Sequence, residues 1–284
     1  MTIESIEIKA KDDYILKGKF FPCENENKKN PPVIAIHPAF GIKCGFYSPL
    51  AKFLSKENHV FIFDYRGIGE SGDPKLVHDG MHSWATLDMV ALHNYIEKRF
   101  PESDLHIIGH SGGAWLLGFI PPTKNLKSLV FICMPNGYFN SFSFPNNIRL
   151  YLTWKFWIPR IVKKNGILGN SKFYSGAPLP GNIALDWAAS GLKKKFIEDD
   201  SFQPNGKFIK DYTVPTLAFT FSDDQVCDAK STFSMLAKFS NLKKTHRHIH
   251  PKEIDEAEIG HYGFLKPSQK KKLWIDLLKW FNQF

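Results

Sequence analysis

Cysteine is scarce and unpaired in this sequence of 284 residues. It has four, Cys23, Cys44, Cys133 and Cys227, and none forms a CxxC pair. The opening "MTIESIEIKAKDD" is acidic and mixed, unlike a signal peptide. The expectation is a cytoplasmic chain with reduced thiols. No window approaches the roughly 20 consecutive apolar residues of a membrane span, so an integral-membrane role is not expected. Internal repeats and low-complexity tracts are missing. The net charge is +9, but no recognition helix, zinc-finger spacing or RNA-binding signature goes with it. Apart from the short runs at 193–195 and 270–272 the lysines are scattered. They read as a solvated basic surface, and no nucleic-acid partner is expected.

Apolar and aromatic residues, in contrast, are plentiful. Hydrophobic residues make up 43% of the chain and aromatic residues 14%, with 25 phenylalanines, enough for a sizeable ring-rich core. The first 21 residues alternate around the turn "KDD", as an edge hairpin does. "PPVIAIH" (31–37) and "HVFIFDYRG" are continuous apolar runs that suit strands buried on both faces. The helical stretch "FYSPLAKFLSKEN" separates them. "HSWATLDMVALHNYIEKRF" has helical periodicity, "LHIIG" is a strand, "GAWLLGFI" a helix and "KSLVFICM" (127–134) a strand. The rhythm stops, then resumes with the strand "VPTLAFTFSDD", the helix "STFSMLAKF", the strand "KKTHRHIH" and a last helix in "QKKKLWIDLLKWFNQF". Such alternation predicts an α/β fold, a mostly parallel sheet with helices on both faces. Residues 1–134 and 213–284 form its core, and residues 135–212 an inserted cap.

One stretch carries chemistry. In "LHIIGHSGGAWLLGF" (105–119) a serine stands among glycines where a buried strand meets a helix. A strand that turns at once into a helix strains its turn residue. Bulky neighbours two positions either side would collide, hence Gly109 and Gly113. Ser111 then projects at the carboxyl end of the sheet, where open α/β sheets place their sites. His110, its neighbour, points elsewhere and reads as structural. A serine hydroxyl needs a base, and the base an orienting carboxylate. The order that goes with this elbow is Ser, acid, His. "TLAFTFSDDQVCD" offers Asp223, Asp224 and Asp228 after a strand end, and "EIGHYGFL" offers His261 between glycines. The rival histidines His246, His248 and His250 alternate along one strand. Lacking an acidic or cysteine partner, they read as a solvated edge, and no metal is expected.

With these motifs the chain resembles the α/β-hydrolase superfamily. It is most similar to bacterial serine hydrolases near the serine aminopeptidase and monoglyceride lipase branch. "DYRGIGESG" (64–72) resembles that branch's D-x-R-G-x-G-x-S loop, "GHSGG" its elbow, "FSDDQV" its acid turn and "GHYGF" its histidine loop. The resemblance implies Ser111 as nucleophile, His261 as general base and Asp224 as acid, with Asp223 the alternative. It implies an oxyanion hole from the backbone N–H of Gly112 and of Ala39, with Phe40 the second choice. Two departures stand out: Pro38 where glycine is common, and Cys227 where proline is common. The Arg66 loop is expected to brace the sheet end. The expected function is a serine hydrolase cleaving a carboxylic ester, thioester or small amide of a small-molecule acyl substrate, without cofactor. An acyltransferase with the same triad, and a non-catalytic binding protein, are the alternatives. The cap holds Tyr138, Phe139, Phe142, Phe144, Trp154, Phe156, Trp157, Phe173, Tyr174 and Trp187, some of them expected to line an apolar acyl pocket over Ser111. Its segment "RLYLTWKFWIPRIVKK" reads as a cap helix packed on the sheet domain, with attachment to a membrane surface as the alternative.

Overall fold

The computed structural model describes residues 2–169, 174–200 and 208–284. Phe173 lies outside them. The strands are β1 (Glu4–Lys9), β2 (Ile15–Phe21), β3 (Val33–His37), β4 (His59–Phe63), β5 (Leu105–His110), β6 (Leu126–Ile132), β7 (Ile167–Leu168), β8 (Leu179–Pro180), β9 (Pro215–Phe221) and β10 (Lys243–Ile249). Eight of them build one sheet in the order β1-β2-β4-β3-β5-β6-β9-β10. From β4 to β10 neighbours run parallel, and the β1–β2 hairpin joins antiparallel to β4. β7 and β8 pair only with each other.

Alternation along each strand feeds two separate cores. In β3, Val33 and Ala35 face one layer, while Ile34 and Ile36 face the other, as a period of two requires. The first layer holds α2 (Val90–Arg99), α3 (Gly112–Trp115) and α7 (Ala229–Lys238). The second holds α1 (Ser48–Leu54) and α8 (Trp274–Phe281). Each side chain buried this way contributes about 1.5–3 kcal/mol for a Val, Leu, Ile or Phe. No helix among the described residues is long and apolar enough to cross a membrane.

Helices are shorter than the apolar pattern implies. The run before α2 opens with a wide π-helical stretch, Trp84–Met89, that buries Asp88. α3 has one turn and passes into a tight 3-10 turn, Leu116–Phe119. There Gly118 admits Ile209 and Ile197, whose methyl carbons lie 2.4 and 2.9 Å from where a Cβ would sit. Pro121 and Pro122 then prevent continuation. α8 begins only at Trp274, because Pro267 starts a 3-10 turn instead.

Between β6 and β9 lie α4 (Asn146–Leu152), α5 (Ile158–Asn165) and α6 (Gly181–Leu192), the first two joined by a π-helical turn, Thr153–Trp157. The segment ends inside the first core layer. Phe196, Ile197, Ile209 and Tyr212 are buried there, and Tyr212 donates to the Ile120 carbonyl at 3.1 Å. The last part of the segment between the parallel strands β6 and β9 thus packs under the sheet before β9 begins.

Candidate active site

Ser111 sits between β5 and α3 with φ 52° and ψ −121°, a conformation costing about 1–3 kcal/mol for a residue with a Cβ. The sharp turn brings backbones together. A Cβ on Gly109 would lie 2.5 Å from the Ala114 Cα, and one on Gly113 2.4 Å from the Pro38 carbonyl oxygen. Only glycine fits either place. The Ser111 side chain lines a cavity of about 300 Å3 whose wall also includes His261.

The three aspartates after β9 have three different partners. Asp224 Oδ2 lies 2.8 Å from His261 Nδ1, both side chains being buried. Its other oxygen accepts from the N–H groups of Val226 and Cys227 at 2.8 and 2.9 Å. Burial pushes the Asp224 carboxyl up, but His261 and these donors outweigh it, and the group ends below the usual carboxylate range. Asp223 Oδ2 accepts from Ile259 and Gly260 N–H and so ties down the loop that carries His261. Asp228 caps α7 through Ser231 N–H and accepts from Ser143 N–H.

Ala39 departs from expectation. Its N–H donates to the Tyr47 hydroxyl at 2.8 Å, so it is not free to hold an oxyanion. Gly112 and Phe40, both on the cavity wall, keep backbone N–H groups with no acceptor among the described residues. Of the two residues expected to supply the second donor, Phe40 is the one whose N–H is unengaged. The Tyr47 hydroxyl in turn donates to His110 Nδ1 at 2.8 Å, and His110 Nε2 donates to the His261 carbonyl at 3.1 Å. Burial, with His261 nearby, pushes the His110 imidazole down to about 3, so it is neutral at ordinary pH. One buried chain thus links the loop after β3, the elbow and the histidine loop.

The remaining motif residues brace. Asp64 accepts from Cys44 N–H at 2.6 Å and Glu70 N–H at 3.1 Å. Arg66, fully buried, pairs with Asp12, Asp79 and Asp88 at 2.7, 3.1 and 2.8 Å. It does not line the cavity. His246 and His248 share the Thr220 hydroxyl at 2.8 and 2.9 Å. His250 accepts from Lys252 N–H.

A family model for the alpha/beta hydrolase fold matches residues 31–157, from β3 through the elbow to α4. The chain has the α/β-hydrolase fold. Solved structures agree over nearly the whole length. An esterase of Exiguobacterium antarcticum matches with a TM-score of 0.61 at 15% identity, covering 98% of this chain and 99% of its own. An esterase of Pyrococcus furiosus matches with a TM-score of 0.59 at 16% identity, over 98% and 91%. The Butyrivibrio proteoclasticus protein Est1E, solved with ferulic acid bound, matches with a TM-score of 0.60 at 14% identity, over 96% and 98%. No curated protein matches the chain in sequence.

Two residues at this site escaped the sequence reading. Tyr47 carries no motif; a lone tyrosine before a proline-started helix gives no signal. Cys133 follows β6 with φ 50°, its thiol against Asp224. Its Sγ lies within 4.8 Å of ligand-type atoms of Asp224 and His261. Burial raises that thiol well above its ordinary range, so it stays protonated beside the carboxylate. Only the strand end in "FICMP" marks the place.

The cavity beside Ser111 is ringed by Trp115 and by five aromatic residues from the segment between β6 and β9, Phe142, Trp154, Trp157, Tyr174 and Trp187. Trp154 and Trp187 meet at 4.8 Å between ring centres, and Phe40 packs edge-on to Trp187. Phe144 and Phe156 point to solvent instead.

Proposed function

We propose that the chain is a serine hydrolase that cleaves a carboxylic ester through an acyl-enzyme. The motif resemblance to the serine aminopeptidase and monoglyceride lipase branch, and the esterases among its structural neighbours, support the reading. One observation carries it. A buried Asp224–His261 pair at 2.8 Å and a strained, glycine-flanked Ser111 open on the same apolar cavity.

His261 Nε2 takes the Ser111 proton as Oγ attacks the ester carbonyl. The N–H groups of Gly112 and Phe40 hold the oxyanion, and Asp224 steadies the imidazolium. The C–O bond breaks and the alcohol leaves with the proton from His261. Water, giving a proton to the same nitrogen, then attacks the acyl-enzyme. The acid forms and Ser111 regains its proton. The inserted segment serves as a cap, and its rings bind the acyl group. Nothing in the scheme calls on a cofactor.

Fluorophosphonate labelling together with p-nitrophenyl ester hydrolysis tests it. Wild type should label and turn over. Ser111→Ala should do neither above a residual rate, while melting like wild type, since it removes one cavity-facing hydroxyl and no packing. Ester turnover by Ser111→Ala at the wild-type rate would falsify the scheme.

A further inference from the structure

From Leu105 to Leu185 the sequence contains no aspartate or glutamate, yet it contains eight lysines and arginines. Five of these, Arg149, Lys155, Arg160, Lys163 and Lys164, lie on the continuous helical rod formed by α4, the π-helical turn and α5, and all five are exposed. The inner side of that rod is spent on the cavity: Arg149, Leu150, Thr153, Trp154, Trp157 and Ile158 line it, and Arg149 donates to the Gln225 carbonyl, which leaves Lys155, Arg160, Lys163 and Lys164 as the cations away from the cavity.

The outer side is apolar as well. Ile148, Leu152 and Phe156 stand four apart, one turn after another, and are 52, 50 and 40% exposed. Phe144, just before the rod, is 78% exposed. A surface helix ordinarily shows one apolar stripe, turned to the core. This one has a second, turned to water. The cations stand among it: Lys155 Nζ lies 5.5 Å and Arg160 Cζ 5.4 Å from the centre of the Phe156 ring. Their stems share the apolar surface while their heads stay in solvent.

Apolar side chains interleaved with basic ones, free of acids, are the composition of a helix that lies in a lipid headgroup layer. A second copy is a poor occupant, because self-pairing would set the same four cations, Lys155, Arg160, Lys163 and Lys164, against each other with no acid on the rod. We propose that the outer face of the α4–α5 rod docks on a membrane surface carrying anionic lipid. Ile148, Leu152 and Phe156 enter the acyl boundary, and the basic residues take the headgroup phosphates. The cavity lies directly behind the docked rod.

The full-length chain should co-sediment with vesicles of phosphatidylcholine mixed with phosphatidylglycerol, and far less with phosphatidylcholine alone. Added salt should release it. Lys155→Gln combined with Arg160→Gln should weaken binding roughly thirtyfold at low salt, the share of two surface cations. Ile148→Ser, Leu152→Ser and Phe156→Ser together should abolish it with the melting temperature unchanged, since none of the three is buried. Binding is read without turnover, so its outcome is independent of the hydrolysis proposed above. The proposal is overturned by failure to bind the mixed vesicles, or by equal binding of the triple variant. It is also overturned if sedimentation velocity finds a dimer that the triple variant dissolves.

Discussion

Removing one oxygen at Tyr47 strands two buried partners, the Ala39 N–H and His110 Nδ1. Each buried orphan costs about 1–3 kcal/mol, while the ring of Tyr47→Phe still fills its place. The variant should lose stability in urea by a few kcal/mol at most. Its kcat should fall by about one to two orders of magnitude if the strain reaches the Phe40 and His261 loops, with KM little changed. A kcat within twofold of wild type would mean the network holds the fold and not the site. The aspartates should separate sharply. Asp224→Asn should cost about 10⁴ in kcat through the wrong His261 tautomer. Asp223→Asn keeps an oxygen for Ile259 and Gly260 N–H and should cost about tenfold or less; the reverse ranking would reassign the acid. At this scale legibility followed local chain geometry. Gly109, Ser111 and Gly113 announce a turn because the turn needs them. Ala39 and Phe40 were not separable, because Tyr47, eight residues away, decides which N–H is free.

Strands were readable because burial on both faces leaves an uninterrupted apolar run, and β3, β4 and β6 each show one. Helix lengths were not, since apolar residues continue past the last helical bond. α3 stops after one turn because Ile197 and Ile209, distant in sequence, press on Gly118. The segment between β6 and β9 was least legible. Its rings pack on one another around the cavity, and side chains facing several directions leave no single period. Two predictions belong here. Gly113→Ala would drive a methyl into the His37 and Pro38 carbonyls, at 2.5 and 2.4 Å. It should displace the Phe40 loop, cost about 1–3 kcal/mol, and depress kcat more than an equally destabilising change in α8; equal losses would detach that loop from catalysis. Ester chain length tests the cavity. Until it fills, each added methylene should raise kcat/KM about fourfold, the effect of roughly 0.8 kcal/mol per buried group. A steady fall from acetyl upward would rule out an apolar acyl site.

Across the whole molecule, four histidines besides His261 are buried among the described residues: His37, His93, His106 and His110. Burial pushes His93 and His106 down to about 4, His110 to about 3 and His37 well below its ordinary value. The unfolded chain takes up these protons near pH 6.5, the folded chain only far lower. Their contribution is therefore complete above pH 6.5 and is lost as pH falls toward 4, by about 1.4 kcal/mol per pH unit for each histidine. Urea midpoints should drop steeply between pH 7 and pH 5; a flat profile would mean that these imidazoles protonate in place. None of this was visible in sequence, where a histidine inside a strand looks like any other. The strand order has a consequence in time. Apart from the exchange of β3 and β4, strands from β5 onward join the sheet in the order the ribosome delivers them, each meeting an edge already laid down. Ser111, the proposed nucleophile, emerges early, Asp224 later and His261 last. A nascent chain halted before His261 should be a largely assembled scaffold without turnover, so that hydrolysis begins only on molecules whose sheet is finished. Labelling arrested chains of graded length with a fluorophosphonate would show it as a step at His261, and a signal from shorter chains would show that the elbow reacts unaided.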